Sequence, residues 1–313
     1  MQVCSFSSIY PNSVVHPEVK STFRDCTVFT PRGFLFFDLA FARFKRAFLP
    51  YDPDAVEAAG GVERVSARRK ALGISIENPA GEDTTAPPLQ KLTELPLPNW
   101  LAEAIRWEQL DEAATASAIQ AQLLPIVLAG ENAILVSEAK SGAEAFVYLM
   151  LASLQVSDQD PLTEEEPGPI ALVLADTQDT SASIADAAKK LFQYSDGETT
   201  GVKRAANLSG GGSRAEKLRE MTGEGAHLVV GTPKRIHDLA TKYQVSLLRV
   251  TLLVLDGLDY MEPEALRELS SWIRPERQTL MFCNSWTPEL HELAGELCLA
   301  GGLPVKVTVK PAG

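Results

Sequence analysis

From Leu92 onward the chain alternates between two textures. Short apolar runs rich in Val, Ile and Leu are separated by longer stretches dominated by Ala, Leu and Glu. The runs are NAILVS from Asn132, PIALVLAD from Pro169, AHLVVGTP from Ala226, TLLVLDG from Thr251, QTLMFCN from Gln278 and PVKVTV from Pro304. Each is short and apolar without alternation, as in a strand buried on both faces. The stretches between them, GAEAFVYLMLASLQ, TSASIADAAKKLFQ, SRAEKLREM, RIHDLATKY, PEALRELSSWI and PELHELAGELCLA, read as helices. Strands of this kind, each followed by a helix, predict a parallel sheet covered on both sides: a doubly wound α/β fold.

Residues 1–90 have a different pattern. Six phenylalanines (Phe34, Phe36, Phe37, Phe41, Phe44, Phe48) fall within Gly33–Phe48, and Asp38, Arg43, Lys45 and Arg46 interrupt the run. It reads as an amphipathic helix and a candidate protein contact. A helical stretch follows from Asp54 to Leu72, then ENPAGEDTTAPP, a linker by composition. The expected division is an N-terminal extension at 1–90 and an α/β domain at 91–313. Within the second part, QVSDQDPLTEEEPGP is expected to be a long acidic loop.

Composition narrows the classes. At 313 residues, 45% hydrophobic and 22% charged, the chain is long enough to bury a substantial core. No apolar run reaches the ~18 residues of a membrane span, so no membrane role is expected. The four cysteines form no CxxC pair and no metal-ligand spacing. They read as reduced thiols in an intracellular, reducing compartment, with no metal site. The first seventeen residues lack the Lys/Arg of a secretory leader. Cytoplasm or nucleus is the expected location, and the Ser-rich, acid-free start leaves an organellar presequence open. The four histidines show no triad or metal spacing. A net charge of −12 means that a nucleic acid must be met by a local basic patch. Basic residues cluster at Arg43–Lys45–Arg46, at Arg64–Arg68–Arg69–Lys70 and at Lys203–Arg204–Arg214–Lys217. Each cluster alone is equally compatible with a solvated helix face.

In doubly wound folds the chemistry sits at the carboxyl ends of the strands. There the sequence places SEAKSGAEA, ADTQDTS, GTPKR, DGLD and CNS, in that order. In this order and spacing they resemble the first RecA-like domain of DEAD-box ATP-dependent RNA helicases, over about Leu92 to Val309. ARRKALGISIENP, upstream, is similar to the segment that precedes the core in several members. The resemblance implies a RecA-like, P-loop NTPase type of sheet.

The resemblance also implies roles for particular residues. Gln120 stands at the adenine-reading glutamine, while Leu92 replaces the upstream aromatic. In the phosphate-gripping loop Ser141 and Gly142 fit, Lys140 replaces a glycine, Ala143 stands for the lysine and Glu144 for the threonine. Asp256 and Asp259 keep both aspartates of the namesake motif, with Gly257 in place of its glutamate. Thr177, Gly210, Gly211, Thr232, Pro233 and Arg235 match positions that hold an RNA backbone. Gln178 replaces an arginine there, Asp179 is a conservative acid, and CNS keeps only Ser285 of the family's serine–alanine–threonine. Residue by residue there are plainer roles. Gln120 can cap a helix, as can Asp256 and Asp259, and Arg235 can pair with a neighbouring acid.

A phosphate loop works because backbone N–H groups cradle phosphates, a lysine reaches the outer oxygens and a hydroxyl holds Mg²⁺. Ala143 removes the cation, Glu144 brings a carboxylate and Gly257 removes the acid that orients water. One like-charge contact at ~4 Å costs about 4 kcal/mol at an effective dielectric near 20, on the order of a thousandfold in affinity. The expected function is thus a degenerate helicase-like module that binds RNA or a ribonucleoprotein, or a protein partner, without hydrolysing ATP. No catalytic residue and no cofactor are expected. The alternative is a working ATP-dependent RNA helicase, using ATP and Mg²⁺ with a second RecA domain. A weaker alternative is a protein scaffold without RNA contact.

Overall fold

The computed structural model describes residues 26–30, 33–37, 48, 54–81, 85–95, 97–109, 115–138, 142–157, 168–194, 204–210, 213–221, 225–243, 246–298 and 302–310. The chain divides into two units, Met1–Arg43 and Phe44–Gly313.

In the first unit β1 (Cys26–Thr30) and β2 (Gly33–Phe37) pair antiparallel, with Thr30 opposite Gly33. The helix expected over Gly33–Phe48 is therefore corrected at its start. Phe34, Phe36 and Phe37 lie in a strand, whereas Phe41 and Phe44 fall outside the described residues. The physical reason is β-propensity. CTVFT and GFLFF are rich in aromatic and β-branched residues, and only two residues separate them.

The second unit holds an eight-stranded sheet in the order β3-β10-β4-β9-β8-β5-β7-β6. Its strands are β3 (Ile74–Glu77), β4 (Ala133–Ser137), β5 (Ala171–Ala175), β6 (Ala205–Asn207), β7 (Leu228–Gly231), β8 (Leu252–Asp256), β9 (Gln278–Cys283) and β10 (Val305–Val309). All pair parallel except β3, which runs antiparallel to β10. The six apolar runs read from the sequence are β4, β5, β7, β8, β9 and β10, and the doubly wound α/β reading holds.

The helices form the two outer layers. α3 (Asn99–Gln109), α4 (Ala118–Leu128), α5 (Ala143–Ser157) and α6 (Gln178–Gln193) contribute to the core on one face of the sheet. α8 (Pro233–Tyr243), α9 (Pro263–Ser270) and α10 (Pro288–Cys298) contribute to that on the other. α7 (Arg214–Met221) follows β6. Successive residues of β5 and β8 face opposite layers, so every position of both strands is buried. Each Leu or Val removed from water there contributes on the order of 2 kcal/mol. Among the described residues no helix is long and apolar enough to cross a membrane.

The boundary expected at residue 90 falls inside this unit. The region upstream contributes α1 (Ala55–Ala58), α2 (Val62–Ala71) and the edge strand β3. The stretch expected to be a loose linker is fastened at its far end. Arg69 on α2 donates to the Thr85 and Ala86 carbonyls (both 3.1 Å) and to Gln122 Oε1 on α4 (3.0 Å). Gln122 Nε2 in turn donates to Ala86 (2.9 Å), and Arg68 donates to the Leu89 carbonyl (2.6 Å). Two members of the second basic cluster are thus spent on backbone carbonyls. Side chains thus satisfy the carbonyls of Thr85 and Ala86, which stand outside any strand ladder.

Candidate functional site

From β4 the chain crosses to β5, leaving β9 and β8 to fill the gap between them, so a crevice opens at the carboxyl ends of these strands. Gly142 turns the chain into α5 with φ 81, a left-handed conformation open to glycine. Lys140 and Ser141, just before it, lie outside the described residues. Glu144, in the first turn of α5, is only 8% exposed. One turn further on is Tyr148, fully buried, whose hydroxyl donates to Asp256 Oδ2 at 2.9 Å. Its ring meets Phe282 edge-on, with centroids 5.3 Å apart. Burial holds the Tyr148 hydroxyl well above its ordinary pKa, and the charges of Asp256 and Glu144 push it further the same way. The phenol therefore stays protonated as a donor.

Gly257 follows Asp256 with φ 91 and donates its N–H to the Phe282 carbonyl at 3.0 Å. A Cβ on Gly257 would lie 3.1 Å from the Cβ and Cγ of Asp176 and 3.2 Å from its Oδ2. Asp176, at the end of β5, donates its N–H to the Asp256 carbonyl (3.3 Å), which fixes that approach. Asp259 Oδ2 accepts the Asn284 N–H at 3.2 Å, tying the turn after β8 to the end of β9. Tyr260 joins the same link through its hydroxyl, 3.3 Å from Asn284 Nδ2. Between α5 and the ends of β4, β8 and β9 lies a cavity of about 150 Å³, lined by Glu144, Tyr148, Ile184, Asp256 and Phe282 among others.

Gln120 forms a helix cap. Its Oε1 accepts the Ser117 N–H (3.0 Å) and its own N–H donates to Ser117 Oγ (3.2 Å), a reciprocal cap on α4. It is 6% exposed and does not line the cavity. Among the described residues no group of three His, Cys, Asp or Glu side chains converges as for a metal ion.

A second cluster forms at the ends of β5, β6 and β7. Exposed Thr177 caps α6, with Oγ1 accepting the Thr180 N–H at 3.1 Å. Thr232 and buried Pro233 begin α8, and Arg235 Nε donates to the Leu208 carbonyl at 3.3 Å. Gly210 belongs to the turn after β6, whereas Gly211 lies outside the described residues. Two residues missed at the sequence level join these segments. Ser209 Oγ accepts the Thr232 N–H at 2.6 Å and lies 3.3 Å from Ser181 Oγ, which is 2.9 Å from the Thr177 carbonyl. The only sequence signal was a serine directly before the glycine pair.

The comparisons with known proteins agree with this fold. The family described as DEAD/DEAH box helicase matches residues 117–293. The chain is 34% identical over 212 residues to ATP-dependent RNA helicase p62 of Drosophila melanogaster, covering 66% of this chain and 28% of that protein. It is 32% identical over 257 residues to the probable ATP-dependent RNA helicase ddx17 of Dictyostelium discoideum, covering 80% of this chain and 30% of that protein. The chain thus spans less than a third of the length of these curated relatives. The crystal structure of the yeast DEAD-box splicing factor Prp28 shares the fold, with a TM-score of 0.68 at 22% identity over 79% of this chain and 56% of that one.

Proposed function

The chain belongs to the DEAD/DEAH box helicase family, and we propose that it keeps the RNA-facing half of the RecA-like unit while its nucleotide crevice no longer serves ATP. On this reading it docks on RNA, within a ribonucleoprotein, without turnover. The observation that carries it is the hydrogen bond from Tyr148 to Asp256, beside Glu144. In a working P-loop enzyme that aspartate serves Mg²⁺, a lysine meets the phosphates and a Ser/Thr hydroxyl completes the metal seat. Here Asp256 accepts from a protonated phenol, Ala143 has no charge to offer and Glu144 repels an anion. Gly257 has no carboxylate to orient water. These residues do not fit a magnesium triphosphate.

The second cluster supports the RNA-facing half. Thr177, Thr232 and Arg235 stand together at one end of the sheet, held by hydrogen bonds among their own segments. Gly210, Gly211 and Pro233 complete the set proposed for contact with an RNA backbone, with Gly142, Ser141, Gln120, Asp256 and Asp259 as remnants of the nucleotide site. A second reading, a functioning ATP-dependent RNA helicase completed by another RecA domain, is favoured by the names of the relatives.

Calorimetric titration with ADP and Mg²⁺ separates the two readings. No heat at millimolar ligand is expected, and a micromolar Kd would sink the first. Retention of a labelled oligouridylate tests the RNA-facing half. Binding that weakens with salt is expected, with a slope reduced by about 1 in Arg235→Ala. Absence of retention at low salt would leave only a protein scaffold.

A further inference from the structure

We propose that Ser209 is a positioning residue, which through its hydroxyl holds the segments of Thr177 and Thr232 at the mutual spacing that RNA binding requires. The inference rests on the RNA-facing reading above and deepens it. Ser209 itself is 8% exposed, and Ser181 is fully buried, so neither hydroxyl is placed to meet a ligand. Their hydrogen bonds nevertheless span three separate strand ends. The Thr232 N–H, at the start of α8, donates to Ser209 Oγ at 2.6 Å. Ser209 Oγ lies 3.3 Å from Ser181 Oγ, in the first turn of α6, and Ser181 Oγ donates to the Thr177 carbonyl at 2.9 Å. Thus the backbone of exposed Thr177 is connected to the backbone of half-buried Thr232 through two buried hydroxyls.

Ser209 is itself held in place. Its N–H donates to Asn207 Oδ1 at 2.9 Å, and the Asn207 carbonyl accepts from Lys217 Nζ on α7. On the adjacent residue, the Leu208 carbonyl accepts from Arg235 Nε at 3.3 Å while its N–H pairs with Val230 at 2.8 Å. Gly231 beside it leaves room for the Ile236 side chain. A Cβ there would stand 3.4 Å from Ser209 Oγ and 2.7 Å from Ile236 Cδ1. A nucleic-acid strand presents phosphates at fixed intervals, so hydroxyls and amides on three independent loops bind it well only when their spacing is set beforehand. A hydroxyl that fixes the spacing adds affinity without touching phosphate.

That distinction sets the test. Retention of a fluorescein-labelled oligouridylate is measured against salt for the wild type, Ser209→Ala, Ser181→Ala, the double variant and Arg235→Ala. Each serine variant is expected to lose about tenfold in affinity, the worth of about one net hydrogen bond. The salt slope should be that of the wild type, because no phosphate contact is removed, whereas Arg235→Ala should lower it by about 1. The double variant should lose little more than either single one, because the two hydroxyls act as one unit. Affinity within twofold of wild type in both serine variants overturns the inference and leaves the RNA-facing reading standing. So does a changed slope in Ser209→Ala, which would make Ser209 a phosphate contact. A wild type that retains no RNA at low salt overturns the RNA-facing reading and this inference with it.

Discussion

Tyr148 on α5 and Asp256 at the end of β8 are 108 residues apart in sequence, yet the phenol hydroxyl donates to the carboxylate at 2.9 Å. The bond engages Asp256 with a group that is neither metal nor substrate. It also creates a stability contribution that can be measured by itself.

Tyr148→Phe should destabilise the protein by about 1.5–3 kcal/mol, the range for a hydrogen bond to a charged group. Urea denaturation at pH 7 measures it. The pH dependence follows from the raised pKa of Tyr148, with burial as the leading cause. Above about pH 10 the unfolded tyrosine loses its proton while the folded one keeps it. The native state then binds more protons, and this contribution falls as pH rises toward the folded pKa. The stability gap between wild type and Tyr148→Phe should therefore be constant from neutral pH to pH ~10 and shrink above it.

Gly257→Glu should not create ATPase activity, although it adds a carboxylate beside Asp256. The left-handed φ of 91 and the 3.1 Å approach to Asp176 both oppose a side chain there. Gly257→Ala alone should cost about 1–2 kcal/mol from the backbone conformation. Adding Asp176→Ala should recover only the part of the crowding due to the carboxyl group, because the Cβ at 3.1 Å remains. Phosphate release and urea midpoints read the two effects separately.

Arg69→Ala should lower stability by about 2–3 kcal/mol, because it frees two backbone carbonyls and Gln122 Oε1 together. Arg64→Ala, which changes an exposed side chain on the same helix, should shift the urea midpoint little. Equal losses in the two variants would argue that general charge, not this bonding, holds α2 to the sheet unit.

Cys283 should resist alkylation in the folded protein. Burial pushes its thiol up to about 12, and the neighbouring Asp259 charge adds to the rise. At pH 8 the reactive thiolate is then on the order of one part in ten thousand. Peptide-resolved mass spectrometry after iodoacetamide treatment should show Cys283 modified only once urea is present.

The sequence by itself determined the alternation of strands and helices, because whether a short segment is apolar throughout or periodic is a local property. It determined which loops lie at the strand ends, and hence that Gly142, Thr177, Thr232 and Asp256 would lie at that edge of the sheet. The cap formed by Gln120 was also legible, since Ser117 and Gln120 stand at capping-box spacing. The β2 segment alone reads as the start of a helix, because the charges beyond it suggest an amphipathic run, whereas its pairing with β1 across a two-residue turn makes it a strand.

Only the tertiary structure decided the rest. It recruited β3 from residues 74–77 into the sheet, because an edge strand is chosen by its partner β10, more than 200 residues away. It also brought Tyr148 to Asp256, Asp176 against Gly257, and Ser209 between Ser181 and Thr232. Contacts of this kind depend on which strands become neighbours. That choice is made by packing the whole apolar core, and no local stretch of sequence contains it.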